Sequence, residues 1–346
     1  MKQSFDDFSS DIALGRIKEL APPFDSYRSY DGDIIDYCHS FFQVYNRHLL
    51  ALKKEDIYSV GEEMSEIALK YSGKQASFDL FKDVDTVQRM IFEALVQSFK
   101  GFPSEAFRVF EERMLADNMH LFELFPQIEI RSIPLFRVRK DSGEVVNSSK
   151  DLFHVPFEKR IRCGTNRFSI LGYPSLYLST KLEIAKRETE IADEKYYAAC
   201  FKPTRPLHFL DLSLNNTFES IWERYCLLVF YPLMMACGLK AKSPSYSFKP
   251  EYIIPQTITQ VFRLHMLNSN FDGISYISTT VDEPNYMDMN MRNYVLWIQG
   301  ADQREGTSKS LAESFSVSGP IKCSSFKSTQ EIENELKQMD FSPVQI

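Results

Sequence analysis

Disulfides are the first thing this sequence lacks the means for. Six cysteines in 346 residues lie far apart and form no C-x-x-C pair, which excludes a dense disulfide framework and a clustered zinc site. Thirteen glycines and sixteen prolines follow no period, so collagen-like and repeat arrays are excluded. Long apolar runs are missing too. The longest, Tyr225 to Leu239, covers 15 residues and contains Pro232 and Gly238, whereas roughly 20 are needed to cross a bilayer. The opening residues, MKQSFDDF, are acidic and carry no apolar signal-peptide core. Positive charge is not in excess either: the formal net charge is −7, which argues against a protein that coats nucleic acid. These absences lead us to expect a reduced, cytoplasmic protein with no membrane partner.

What is present is ordinary globular material, 44% apolar and 25% charged, with an aromatic share of 14% that supplies a large core. The length fits two domains. Apolar stripes at three- and four-residue steps predict four helices in the first third, on Ile34–Leu52, Ile57–Tyr71, Val87–Phe99 and Pro103–Met114. None is stable alone in water, so they form an all-α bundle over residues 1–125. The texture changes at Pro126. Strand-like runs (LFRVR, LYLS, PLHFLDL, GISYIS, YVLWI) then mix with helical spacing at 181–192 and 253–267. That is an α+β pattern over 126–305. Residues 306–346 read as a polar segment ending in a short helix, announced by the capping box Ser328-Thr329-Gln330-Glu331.

The common chemical motifs are missing. There is no H-E-x-x-H, no Walker loop, no G-x-G-x-x-G and no G-x-S-x-G, so no metal ligand set is expected. One dense stretch remains, residues 153–190, in which Arg167, Tyr177 and Glu188 are spaced by ten and eleven residues. A strand through Tyr177 and a helix through Glu188 can bring a cation, a ring and a carboxylate to one cleft. Spacing alone equally fits a core tyrosine and a solvated helix face.

The surrounding residues narrow that choice. RFSILGYPSLYLSTKLEIAKRE closely resembles the signature of the RES domain, a family named for its Arg, Glu and Ser. Arg167-Phe168-Ser169, Leu176-Tyr177-Leu178-Ser179 and Glu188 stand in the family's order. LFRVR with Arg137, FDGISYIST and RNYVLWI with Asn293 are similar to its flanking strands, so the resemblance covers residues 130–300. Two departures are evident: Asn166 precedes the arginine where a glycine is common, and the family's serine could be Ser275 or Ser278, with Ser278 preferred at its strand end. The resemblance implies an ADP-ribosyltransferase-like split sheet around an NAD+ cleft. It implies an NAD+-consuming bacterial toxin or antiphage defence effector, neutralised by a helix-turn-helix antitoxin. Hydrolysis, phosphorolysis and ADP-ribose transfer all stay open, as does a homo-oligomer.

On that resemblance Arg167, Tyr177, Glu188 and Ser278 are the expected catalytic residues, and Arg137, Ser179, Asn293 and His154 the expected NAD+-binding residues. The chemistry is coherent. The nicotinamide of NAD+ is cationic and leaves neutral, so one carboxylate can do what ordinary glycosidases divide between two. Glu188 would stabilise charge at the anomeric carbon, arginines would grip the pyrophosphate, and the Tyr177 ring would face the nicotinamide. Lys159, Arg160 and Arg162 form a basic cluster that fits a phosphate funnel or a solvated loop. A rival reading sits in the bundle: Arg113 and His120, with six residues between them, fit the loose R-x4–6-H spacing of HEPN-type ribonucleases.

Overall fold

The computed structural model describes residues 3–22, 24, 27–73, 75–115, 121, 124–191, 195–213, 220–243, 245–265, 271–280, 291–298, 304–323 and 327–344. The chain divides into two compact units, one from 1–126 with 212–261 and one from 127–211 with 262–346.

The first unit is helical. Its amino-terminal part carries α1 (Phe5–Ala13), α2 (Ile34–Leu50), α3 (Lys54–Ser72), α4 (Leu80–Phe99) and α5 (Pro103–Leu115). On α2 and α4 the predicted stripes are buried over Cys38, Phe41, Tyr45 and Leu49 and over Val87, Met90, Ile91, Ala94 and Leu95, whereas the stripe ends at Tyr71 of α3 and Phe99 of α4 are exposed. Gly73 closes α3 at φ 68°, the left-handed position that glycine takes without penalty. The bundle differs from the sequence reading in two respects: it opens with α1, outside the four predicted stripes, and residues 212–261 belong to it. The long apolar run is its central helix, a later helix of the chain (Ile221–Gly238), buried on every side from Tyr225 to Cys237. A helix that is apolar all round must lie inside protein or lipid, and this one is surrounded by protein. The Tyr225 hydroxyl donates to buried Asp83 at 2.6 Å and the Tyr45 hydroxyl to the Leu228 carbonyl at 2.6 Å. Among the described residues no helix is long and apolar enough to cross a membrane.

The second unit is α+β, as expected. Its strands are β1 (Gln127–Ile130), β2 (Leu135–Lys140), β3 (Ser175–Ser179), β4 (Tyr196–Pro203), β5 (Leu207–Leu212), β6 (Phe271–Ile277), β7 (Arg292–Trp297), β8 (Phe315–Ser318), β9 (Ile321–Cys323) and β10 (Phe341–Pro343). They form one sheet in the order β1-β5-β6-β7-β3-β2-β4-β8-β10, with β9 also on β4. Helix α6 (Leu182–Glu188) follows β3. With α6 placed, the central helix of the bundle is α7, followed by α8 (Ile253–His265), α9 (Lys309–Glu313) and α10 (Thr329–Gln338). The expected separate tail over 306–346 is therefore part of this unit, and supplies three of its strands and two helices.

Strand alternation splits the core in two. Leu135, Leu176, Leu178, Ala199, Phe201, Tyr294 and Leu296 pack together on one face. Phe136, Val138, Ala198 and Cys200 pack on the other, against Leu182 and Ala185 of α6 and Ile332 and Leu336 of α10. The β2–β3 ladder consists of the single pair Phe136↔Ser179. Beyond it the two strands part, so the sheet is split between them.

Candidate active site

The site is assembled where β3, β6 and β7 end beside α6. The β3–β7 register sets Ser179 opposite Asn293 and Tyr177 opposite Val295. The β6–β7 register sets Tyr276 opposite Asn293 and Ser275 opposite Tyr294. Because Leu176, Leu178 and Tyr294 belong to the other core, Tyr177, Ser179 and Asn293 share the face covered by α6. Ser275 points the opposite way. That parity separates the two candidate serines.

Glu188, the last residue of α6, is the hub. Its Oε1 accepts from the Ser278 hydroxyl at 2.6 Å and from Asn293 Nδ2 at 2.7 Å. Asn293 Oδ1 in turn accepts from the Ser179 hydroxyl at 2.5 Å, which fixes the amide with its nitrogen toward the carboxylate. Ser278, fully buried, also contacts the Thr280 hydroxyl at 2.8 Å. Both donors fall on Oε1, so Oε2 receives neither of these bonds. Helix α6 stops at once after Glu188. Glu190 takes φ 53°, a conformation that costs a non-glycine residue about 1 kcal/mol, and the Ile191 amide returns to the Lys186 carbonyl at 3.1 Å.

Arg167 is 7% exposed and donates to Thr279 Oγ1 at 3.3 Å, next to Ser278 in the chain. A tight loop holds it there: Ser169 Oγ accepts from the Asn166 amide at 2.8 Å and donates to the Asn166 carbonyl at 2.9 Å. Phe168 anchors that loop on the Tyr276 ring, with centroids 4.7 Å apart. Ser278, Glu188, Asn293 and Ser179 are thus linked in one hydrogen-bonded chain, and Arg167 reaches its edge by bonding Thr279, the chain neighbour of Ser278. Tyr177 is half-buried on the same face as Ser179.

Two expected ligands lie elsewhere. Arg137 shares strand parity with Leu135, on the opposite face from Phe136. Its Nη1 donates to the Tyr177 carbonyl at 3.1 Å, bridging the gap where β2 and β3 part. Burial, reinforced by Arg139, pushes the guanidinium down to about 10, still charged at neutral pH. His154 is buried, with Nδ1 against the Val155 carbonyl at 2.8 Å and Nε2 accepting from the Ser308 amide at 2.9 Å. Burial pushes it down to about 4. Both ring nitrogens of a neutral imidazole are spent on backbone, so none is left for a phosphate; the expectation for His154 is corrected to a structural role. In the basic cluster, Arg160 lies over the Phe157 ring at 5.2 Å and Arg162 pairs with Glu144 at 3.2 Å, the solvated-loop reading rather than an open funnel.

Residues that sequence reasoning missed are Thr279 and Thr280. The hydroxyl triplet Ser278-Thr279-Thr280 after an apolar strand was the available signal. In the helical unit Arg113 donates to Glu93 through Nε at 3.1 Å and again through Nη2. A guanidinium so paired is neutralised, and His120 lies outside the described residues. Among the described residues no group of three His, Cys, Asp or Glu side chains could hold a metal ion.

No family model matches this chain. It is 28% identical over 281 residues to the curated Bacillus subtilis (strain 168) protein named "Putative toxin YopC", a match covering 74% of this chain and 62% of that protein. The match therefore spans less than two thirds of that relative's length. A solved structure, the M. tuberculosis MbcT–MbcA toxin–antitoxin complex, matches 61% of this chain and 91% of its own at 13% identity, with a TM-score of 0.31. A score at that level is too low to establish a common fold.

Proposed function

We propose that this protein consumes NAD+ by breaking the nicotinamide–ribose bond at the Glu188 cluster, and that it acts as a toxin in the bacterial cytosol, restrained by a protein antitoxin. The observation that carries the reaction is Glu188 held on one oxygen by Ser278 and Asn293. Such a carboxylate is oriented before substrate arrives, with no reorganisation needed as positive charge grows at the anomeric carbon. Nicotinamide leaves with the bonding electron pair and becomes neutral, so no general acid is required. Water or phosphate then attacks the ribosyl cation, and its proton passes to solvent or to Glu188. Arg167 supplies a fork for the pyrophosphate, the Tyr177 ring faces the nicotinamide, and Arg137 acts as a strut that holds the Tyr177 backbone. The toxin role draws support from the name of the Bacillus relative.

The test is purified protein incubated with NAD+, with nicotinamide and the ADP-ribose product resolved by chromatography. Release of free nicotinamide is expected. A phosphorylated ADP-ribose product that needs added phosphate marks phosphorolysis, and plain ADP-ribose marks hydrolysis. Intact NAD+ alongside cleaved RNA would remove the reaction from Glu188 altogether.

A further inference from the structure

Helix α6 carries Glu188 at its end and is poorly equipped to hold itself in place. Seven residues make a helix too short for independent stability. Its N-cap residue is Lys181, whose side chain makes no cap bond; an ammonium has no lone pair to accept the first amides. The missing acceptor comes from the far end of the chain. Glu333 of α10, 3% exposed, accepts from the Leu182 amide through Oε2 at 3.0 Å. Its Oε1 is held by Lys337 Nζ at 2.8 Å, so both oxygens are engaged and the burial is compensated. A second tie runs from Lys186 Nζ to Thr329 Oγ1 at 3.3 Å. Ile332 and Leu336 pack with Leu182 and Ala185 in one cluster. Alongside this seam opens a cavity of about 350 Å³, bordered by Glu183, Ile184 and Arg187 of α6 and by Thr329 and Gln330 of α10. That flank of α6 is not packed solid, so the Glu333 and Lys186 contacts are polar ties that hold the helix to α10 beside the cavity.

We infer that Glu333 is a positioning residue: the carboxylate from the carboxy-terminal helix caps α6 and thereby sets where Glu188 stands. Glu188 lies six residues beyond Leu182, about 9 Å along a rigid axis, so a shift at the capped end moves the carboxylate against Ser278 and Asn293. The effect on turnover rests on the NAD+ reading above, while the positioning itself does not.

The experiment uses the full chain and two variants. Glu333→Ala removes the cap. Hydrogen exchange in peptides covering 182–190 should quicken about tenfold, the size expected when a helix cap is lost. Protection of β3 and β7 should be kept. Turnover of NAD+ should fall about ten- to a hundredfold, with KM within about twofold because Arg167 and Tyr177 are untouched. Glu333→Gln keeps an oxygen for the Leu182 amide and should restore turnover to within about threefold of wild type. It also serves if the alanine variant does not fold. Unchanged exchange over 182–190 in folded Glu333→Ala would overturn the inference, as would loosened α6 with full turnover, or a glutamine variant as impaired as the alanine. A wild-type protein that leaves NAD+ intact would fail the proposed reaction alone, and the exchange result would then decide the positioning.

Discussion

Removing the Ser278 hydroxyl isolates the contact on which the proposed chemistry leans most. The hydroxyl donates to Glu188 Oε1 at 2.6 Å from a fully buried position. Hydrogen bonds to a charged group contribute about 1.5–3 kcal/mol, and about 1.4 kcal/mol is a factor of ten, so Ser278→Ala should slow turnover about 10- to 150-fold. Asn293→Ala removes the other donor to the same oxygen, at 2.7 Å, and should cost a similar factor. The double variant should fall short of the product of the two, because each donor helps hold the carboxylate for the other. Ser275→Ala is the control: it lies three residues earlier on the same run but points to the opposite face, and should leave turnover within about twofold. The assay is steady-state nicotinamide release with kcat and KM separated, after melting curves show that each variant is folded. A folded Ser278→Ala protein with near wild-type kcat, or a Ser275→Ala protein as slow as Ser278→Ala, would refute the assignment.

Three other perturbations reach different parts of the second unit. Buried His154 sits at about 4 rather than its ordinary value; the unfolded chain binds a proton below about 6.5 that the fold refuses until about 4, so stability is full above 6.5 and falls as pH drops through that window, by about 3 kcal/mol in all. Thermal melts from pH 7 to 4 should show this slope, and His154→Gln should flatten it. A Cβ at Gly273 would stand 1.8 Å from the Val295 carbonyl oxygen on the paired strand, so Gly273→Ala should lose about 3 kcal/mol or more in denaturant titration. Arg137→Met removes the strut to the Tyr177 carbonyl and should raise KM for NAD+ about tenfold, with a smaller effect on kcat.

Much of the local structure was legible. The stripes on α2 and α4 and the Gly73 stop on α3 follow from spacing. The Ser328–Glu331 box caps α10 as read, with the Glu331 carboxylate accepting from the Ser328 amide at 2.7 Å. What escaped was tertiary. Helix α7 is apolar all round, so it has no stripe to show which bundle it completes, and the chain must leave the sheet unit and return for it to do so. Strands β8 to β10 are three or four residues each, too short for alternation to stand out in a Ser-rich segment. His154 shows the limit for single residues. An imidazole before V-P looks available until its partners at Val155 and Ser308 are seen. The Glu333–Leu182 bond joins positions 151 apart, and no local pattern announces it. Ser278 over Ser275 is an intermediate case: strand parity decides it once the register with Asn293 is known.

Glu188→Gln tests the central claim most directly. The substitution keeps size and helix propensity and removes only the charge. Nicotinamide release from NAD+ by the folded variant should fall by about two to three orders of magnitude, while NAD+ binding, followed by calorimetry, stays near the wild-type value. A folded Glu188→Gln protein that consumes NAD+ at close to the wild-type rate would contradict the account.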